Sequence, residues 1–198
     1  MGGTPNPVPV PNPGPTATAP GPHSGPEPGP SGLGEKAAPA GPLFGKDAVF
    51  EALADNAAVK ALAELATDAK FDRKELTIEV AKESIVAACQ AVQAAGYNFF
   101  EDVTAVDWYP QEPRFQLSYH ILSHGLKQRV RLAVRLDSAD LALDSITAVW
   151  PAANFYEREV FDLFGIHFAG HPRLTRIMMP DNWEGYPLRK DYPVEGYR

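Results

Sequence analysis

The residues best equipped for chemistry gather near the end of this 198-residue chain: Glu157, Arg158, Glu159 and Asp162 lie within one short run, and His167 and His171 follow. Glu159 and Asp162 are three positions apart and would share one side of a helix. With a downstream histidine they supply the donor types of a carboxylate metal site. Their spacing argues against one. A di-metal helix bundle takes Glu-x-x-His pairs from separate helices and a zincin needs His-Glu-x-x-His; neither pattern occurs in this chain. The other chemistry open to such a cluster is ion pairing. Arg158 and Asp162, four apart, are placed to pair, and charges arranged in this way form a salt-bridged surface or interface.

These residues need a helix to position them, and the flanking sequence predicts one from Pro151 to Gly165. Proline suits a first helical turn and glycine a left-handed cap. Ala153, Tyr156, Val160 and Phe164 make one apolar stripe with Phe161 beside it, which leaves Glu157, Arg158, Glu159 and Asp162 on the flanks. Beyond Gly165 regular periodicity stops. The segment GIHFAGHPRLTRIMMPDNWEGYPLRKDYPVEGYR mixes Arg, Lys, Asp, Trp and Tyr with Pro and Gly. Ordering each of its residues costs about 1–2 kcal/mol of backbone entropy, so contacts outside the chain are expected to hold it in place.

Composition narrows the remaining choices. A net charge of -7 lacks the basic surface that nucleic acid requires. The single cysteine, Cys89, lies in an Ala-rich helical run, which excludes a disulfide framework or a thiolate-ligated cluster built within the chain. No apolar run reaches the roughly 18 residues of a membrane span, and no signal peptide opens the sequence. Gly-x-Gly-x-x-Gly opening a helix and the Walker loop are both missing.

Residues 1–42 are dominated by Pro and Gly and read as a disordered tail with polyproline II character. About 155 residues then remain, enough for one core. The periodicity predicts a helix over 47–69, with Asn56 as a possible break, a strand over 76–81, and a helix over 83–95 stopped by Gly96. Three neighbouring strands follow at 98–107, 114–122 and 128–136, the last two joined by a loop over 123–127. In the last strand Val130, Leu132, Val134 and Leu136 face one way and Arg129, Arg131 and Arg135 the other. This order implies an α+β two-layer sandwich, with helices on one face of a mixed or antiparallel sheet. The domain would span 43–170, with an extended interaction segment over 171–198.

Several blocks occur together in an order that resembles one family. They are Val103–Asp107, Arg114-Phe115, Tyr119-His120, Trp150–Asn154, Glu157–Glu159 with Asp162, Phe164–Ile166, Gly170–Pro172 and Trp183–Pro193. Over residues 76–198 the chain resembles the 30 kDa subunit family of the proton-pumping NADH:quinone oxidoreductase, respiratory complex I. It departs where members commonly read His-Pro-Asp-Leu-Arg-Arg, having Arg173 and Thr175 instead; the Pro-rich front also lies outside the pattern.

The resemblance implies a non-redox structural subunit of the peripheral arm, on the cytoplasmic side of a bacterial membrane, with no cofactor or catalytic residue of its own. NADH, FMN, iron-sulfur clusters and quinone would be bound by other subunits. The implied partners are the hydrogenase-like subunit of the quinone pocket, the subunit bearing the terminal iron-sulfur cluster, and the ferredoxin-like subunit. Interface candidates are Glu157, Arg158, Glu159, Asp162, His171, Arg176, Trp183, Tyr186, Arg189, Lys190, Asp191 and Tyr192. A competing arrangement folds Trp183 and Tyr186 back onto the domain's own core. The same subunit type also occurs in membrane-bound nickel-iron hydrogenase and formate-hydrogen-lyase assemblies. A metal-dependent enzyme centred on Glu159, Asp162, His167 and His171 is the remaining class.

Overall fold

The computed structural model describes residue 39 and residues 41–196, so the expected tail over 1–42 falls almost wholly outside the described residues. Strand β1 (Leu43–Phe44) leads into helices α1 (Lys46–Ala52) and α2 (Ala57–Ala61). Asn56 separates the helices and caps the second: its side-chain oxygen accepts from the N–H groups of Ala58 and Val59, satisfying two donors that a helix start leaves open. The helix expected to reach residue 69 ends at Ala61, and Ala66–Asp72 forms strand β2. Pairing overrides the spacing here. Ala66, Ala69 and Phe71 are buried in the core, and β2 pairs with β3 (Glu75–Val80) through a turn at Arg73 and Lys74, both with positive φ. Small apolar residues at mixed spacing fit a helix face and a buried strand equally well.

A 3-10 turn (Lys82–Ser84) and α3 (Ile85–Ala94) follow, ended by Gly96 at φ 96°. Strands β4 (Phe99–Asp107), β5 (Phe115–Ser123) and β6 (Gln128–Leu136) then complete a six-stranded sheet of order β1-β2-β3-β6-β5-β4. Within this sheet only the β3–β6 pair is parallel, because a crossover through α3, β4 and β5 separates them. The three strands expected as neighbours do pair with one another. Strand β7 (Ala142–Asp144), helix α4 (Ala153–Phe164) and strand β8 (His167–Ala169) end the regular elements, with β7 and β8 paired in parallel.

Cross-strand register separates the two faces of the sheet. Ile78, Leu132, Tyr119 and Val103 align across four strands and are buried. They share a core with Ile85, Cys89 and Val92 of α3 and with Ala153, Val160 and Phe164 of α4, so the helices form the second layer. One residue further along, Thr77, Arg131, His120 and Asp102 align on the opposite face. There Arg131 donates to His120 Nε2 and pairs with Glu75, while Arg129 pairs with Glu101 and Arg135 with Glu79. The α+β sandwich with a mixed sheet is thus realised. No helix among the described residues is long and apolar enough to cross a membrane.

Candidate functional site: an ion-paired C-terminal strap

Helix α4 begins at Ala153, two residues beyond Pro151, and ends at Gly165, whose φ of 73° is a left-handed cap. Two of its three carboxylates are not on exposed flanks as the stripe predicts: Glu157 and Asp162 are fully buried, and Glu159 alone is exposed. The anticipated Arg158–Asp162 pair is replaced by longer-range contacts. Arg158 donates to the carbonyls of Thr175 and Arg176, and Asp162 takes Arg176 as its partner. A stripe of apolar residues sets which side of a helix meets the core, but it cannot reveal a chain segment that returns to cover the other side.

That returning segment, the strap, is made of turns over 170–196 with no further helix or strand. Its contacts centre on the end of α4. Asp162 Oδ2 accepts from three successive backbone N–H groups, Ile177 at 2.9 Å, Met178 at 2.7 Å and Met179 at 2.9 Å. Burial pushes its pKa up, but the N–H groups of Met179 and Ile177, then Arg176 and Met178, outweigh burial and hold the carboxyl below its usual range.

The last four carbonyls of a helix lack partners within it, and here the strap supplies most of them. Gly165 N–H caps Phe161, Arg176 donates to the Asp162 carbonyl, Leu188 N–H to Leu163, and Arg189 Nε to Phe164. Two guanidinium groups therefore sit where the helix dipole is negative. The ring of Tyr186 lies between them, 4.6 Å from Arg189 and 5.6 Å from Arg176. A Cβ on Gly165 would fall 2.6 Å from that ring, so glycine serves both the left-handed cap and the close approach of the strap.

A second staple fixes the strap's far end. Asp107, buried at the end of β4, accepts two bonds from Arg114, at 2.9 and 2.7 Å, and one from Lys190 N–H at 2.8 Å. Arg114 also grips Asp191 with two more bonds, at 3.0 and 2.7 Å. Hydrogen bonding from Arg114 holds the Asp107 carboxyl far below its usual range, and the same guanidinium lowers Asp191. Arg114 and Asp107 were not singled out as site residues. The available signal was Asp107 itself, an acid occupying an inward position of an alternating strand.

His171 packs against α4, its Nε2 3.2 Å from the Asn154 carbonyl and 4.0 Å from Glu157. The two departures in the neighbouring sequence act through the main chain: Arg173 N–H donates to His171 Nδ1, and the Thr175 carbonyl accepts from Arg158. Of the expected interface residues, Glu157, Arg158, Asp162, His171, Arg176, Tyr186, Arg189 and Asp191 thus make contacts inside this chain. Glu159, Trp183 and Lys190 remain exposed, and Tyr192 is half-buried, its hydroxyl donating to the Glu184 carbonyl. Trp183 offers its carbonyl, not its ring, to Arg176. No group of His, Cys, Asp and Glu among the described residues could hold a metal ion.

Fold and strap together define a class: an α+β domain whose C-terminal segment folds back to complete its last helix. Residues 78–198 match the family described as respiratory-chain NADH dehydrogenase, 30 Kd subunit, and the chain belongs to that family. It is 46% identical over 147 residues to an NADH-quinone oxidoreductase subunit of Citrifermentans bemidjiense, covering 72% of this chain and 91% of that one. The corresponding subunit of Roseiflexus sp. is 43% identical over 125 residues, 62% of this chain and 72% of the other. A chain in the structure of the membrane-bound sulfane sulfur reductase, an archaeal respiratory membrane complex, superposes with a TM-score of 0.61 at 28% identity, covering 68% and 82% of the two chains.

Proposed function

We propose that this chain is a non-redox structural subunit of the peripheral arm of a proton-translocating NADH:quinone oxidoreductase, held at the cytoplasmic side of the membrane by its partners. Electron transfer from NADH through FMN and iron-sulfur clusters to quinone takes place in those partners: the quinone-pocket subunit, the terminal iron-sulfur subunit and the ferredoxin-like subunit. Family membership supports the assembly. Residues 43–170 act as the domain, and 171–198 as the interaction segment.

The observation that carries the docking role is an inversion of the usual distribution of side chains. The strap turns Arg176 and Arg189 inward to an ion pair and helix carbonyls, while Ile177, Met178, Trp183 and Leu188 are 39%, 62%, 38% and 52% exposed. Phe155 of α4 is 61% exposed as well. Apolar chains presented by a segment whose Arg176 and Arg189 are satisfied internally suit a partner's apolar surface. The interface therefore rests on these residues, with Glu159, Lys190 and Tyr192 at its polar rim, and the buried acids Glu157 and Asp162 shape the strap behind it.

Replacing Trp183 by Ser together with Met178 by Asp tests this. A central interface tryptophan contributes about 2 kcal/mol, roughly thirtyfold in affinity. The amount of assembled complex should fall while the thermal midpoint of the free subunit stays put and turnover per assembled complex is kept. Normal assembly with lost turnover would reject the structural role. The likeness to the sulfur reductase chain favours a second reading, a membrane-bound assembly of the same build with different chemistry, such as a nickel-iron hydrogenase or formate-hydrogen-lyase. Identifying the subunits that co-purify under mild detergent separates the two.

A further inference from the structure

Glu157 sits under the strap's first turn with neutral donors only. Its Oε1 accepts from Ile146 N–H at 2.8 Å and its Oε2 contacts Ser145 Oγ at 2.6 Å. Among the described residues no lysine or arginine pairs with it, and both its side chain and that of His171 are fully enclosed. Arg158, its neighbour on the helix, is turned away to the carbonyls of Thr175 and Arg176, and Glu159 is exposed. The other titratable groups facing it are Cys89 of α3 and Tyr119 of β5, both kept protonated by burial. An ionised carboxylate in such a place is poorly compensated.

Two hydroxyls connect this carboxyl to the exterior. Ser145 Oγ lies 2.8 Å from Thr147 Oγ1, and Thr147 is half-buried. The chain is satisfied in both directions. With Glu157 protonated, Oε2–H donates to Ser145 and Ser145 to Thr147; with Glu157 ionised, Thr147 donates to Ser145 and Ser145 to Oε2. The proton thus has a route between buried site and surface without any rearrangement of heavy atoms.

On its other side Glu157 meets His171. Nδ1 of His171 accepts from Arg173 N–H at 3.0 Å, so the neutral ring carries its proton on Nε2 and donates to the Asn154 carbonyl at 3.2 Å. Glu157 Oε2 lies 4.0 Å from the same Nε2. A carboxylate is a stronger acceptor than a peptide carbonyl. Once ionised, Oε2 draws Nε2–H toward itself, and closing the gap pulls Nδ1 away from the Arg173 amide.

We infer that Glu157, Ser145 and Thr147 form a proton-exchange site that controls, through His171, how firmly the strap's first turn is closed between His171 and Arg173. Protonated Glu157 leaves the His171–Arg173 bond in place, and ionised Glu157 loosens it. The device stands on contacts within this chain and is separate from the outward-facing surface of the strap.

Side-chain NMR of Glu157 and amide hydrogen exchange of Arg173, both on the full chain over a pH series, test it. Burial pushes the Glu157 carboxyl up to about 7, and the protection factor of the Arg173 amide, corrected for intrinsic exchange, should fall about tenfold or more with the same midpoint. In Glu157→Gln that pH dependence should vanish. Protection that is flat across the Glu157 titration, or that keeps its midpoint in Glu157→Gln, would overturn the inference. Should the variant fail to fold, the wild-type series decides alone, since the two midpoints either coincide or do not.

Discussion

Asp162→Asn removes the charge around which the strap is organised while keeping the side chain's shape. In the wild type one oxygen gathers the N–H groups of Ile177, Met178 and Met179, and the other takes Arg176. An asparagine has one accepting oxygen and an NH2 group, so either the three amides or the guanidinium must face a donor. Losing one partner of a buried pair costs about 3–5 kcal/mol. Arg176 keeps bonds to the carbonyls of Trp183 and Gly185 and is 16% exposed, so it recovers some hydration and about 3 kcal/mol is expected. If strap and domain unfold together, the thermal midpoint should drop by roughly 6–12 °C for a domain of this size. If the strap detaches by itself, the midpoint stays and the amides of 177–179 lose protection by about two orders of magnitude. Asp162 has a lowered pKa in the fold, so its stabilisation is present above the unfolded carboxylate value of 3.8 and is lost as pH falls through the lower folded value. The variant should show less of this acid sensitivity. Urea titrations read against amide exchange measure both routes, and a loss below about 0.5 kcal/mol with unchanged exchange would refute the reasoning.

Gly165→Ala should loosen Tyr186 and Arg189, because the new Cβ meets the ring at 2.6 Å and adds about 1–2 kcal/mol of left-handed strain; faster tryptic cleavage after Arg189 is the readout. Arg114→Ala leaves Asp107 buried without its cation and should cost about 3 kcal/mol, largely restored by adding Asp107→Asn, as a double-mutant cycle in urea would show. Glu157 has a folded pKa raised to about 7, so its protonated form stabilises the fold below the unfolded carboxylate value, and this stabilisation is lost as pH rises through 7. Glu157→Gln should therefore remove a loss of about 3 kcal/mol between pH 5 and 9, read as the difference in urea midpoint between the two proteins.

The sheet was legible because period-two alternation in β4, β5 and β6 reports burial directly, and the arginines of β6 mark its wet face. The stretch 62–72 was not, since Ala66, Ala69 and Phe71 acquire strand character only through the β3 hairpin partner. Helix α4 was legible in extent but not in the direction its charges turn. Nothing local distinguishes Glu157, enclosed by Ser145 and Ile146, from Glu159, which is exposed two positions later. That distinction depends on loops before the helix and a segment after it.

An entropy argument from sequence looks outward for whatever orders the strap, and the structure adds contacts that run inward. Aperiodic chain is costly to order, and periodicity is the only burial signal a sequence offers at short range. Here the compensating interactions have no period: three amides converge on Asp162, two arginines meet carbonyls at a helix end, and a carboxylate pair shares Arg114. Each pairs groups that would otherwise be left unsatisfied when buried, the four carbonyls ending α4 above all. Because these contacts fix Arg176 and Arg189 on the domain side, Ile177, Met178, Trp183 and Leu188 are left on the other. The internal fastening of the strap and its outward apolar surface are therefore one arrangement, and weakening the first should disorganise the second without any change to the exposed residues themselves.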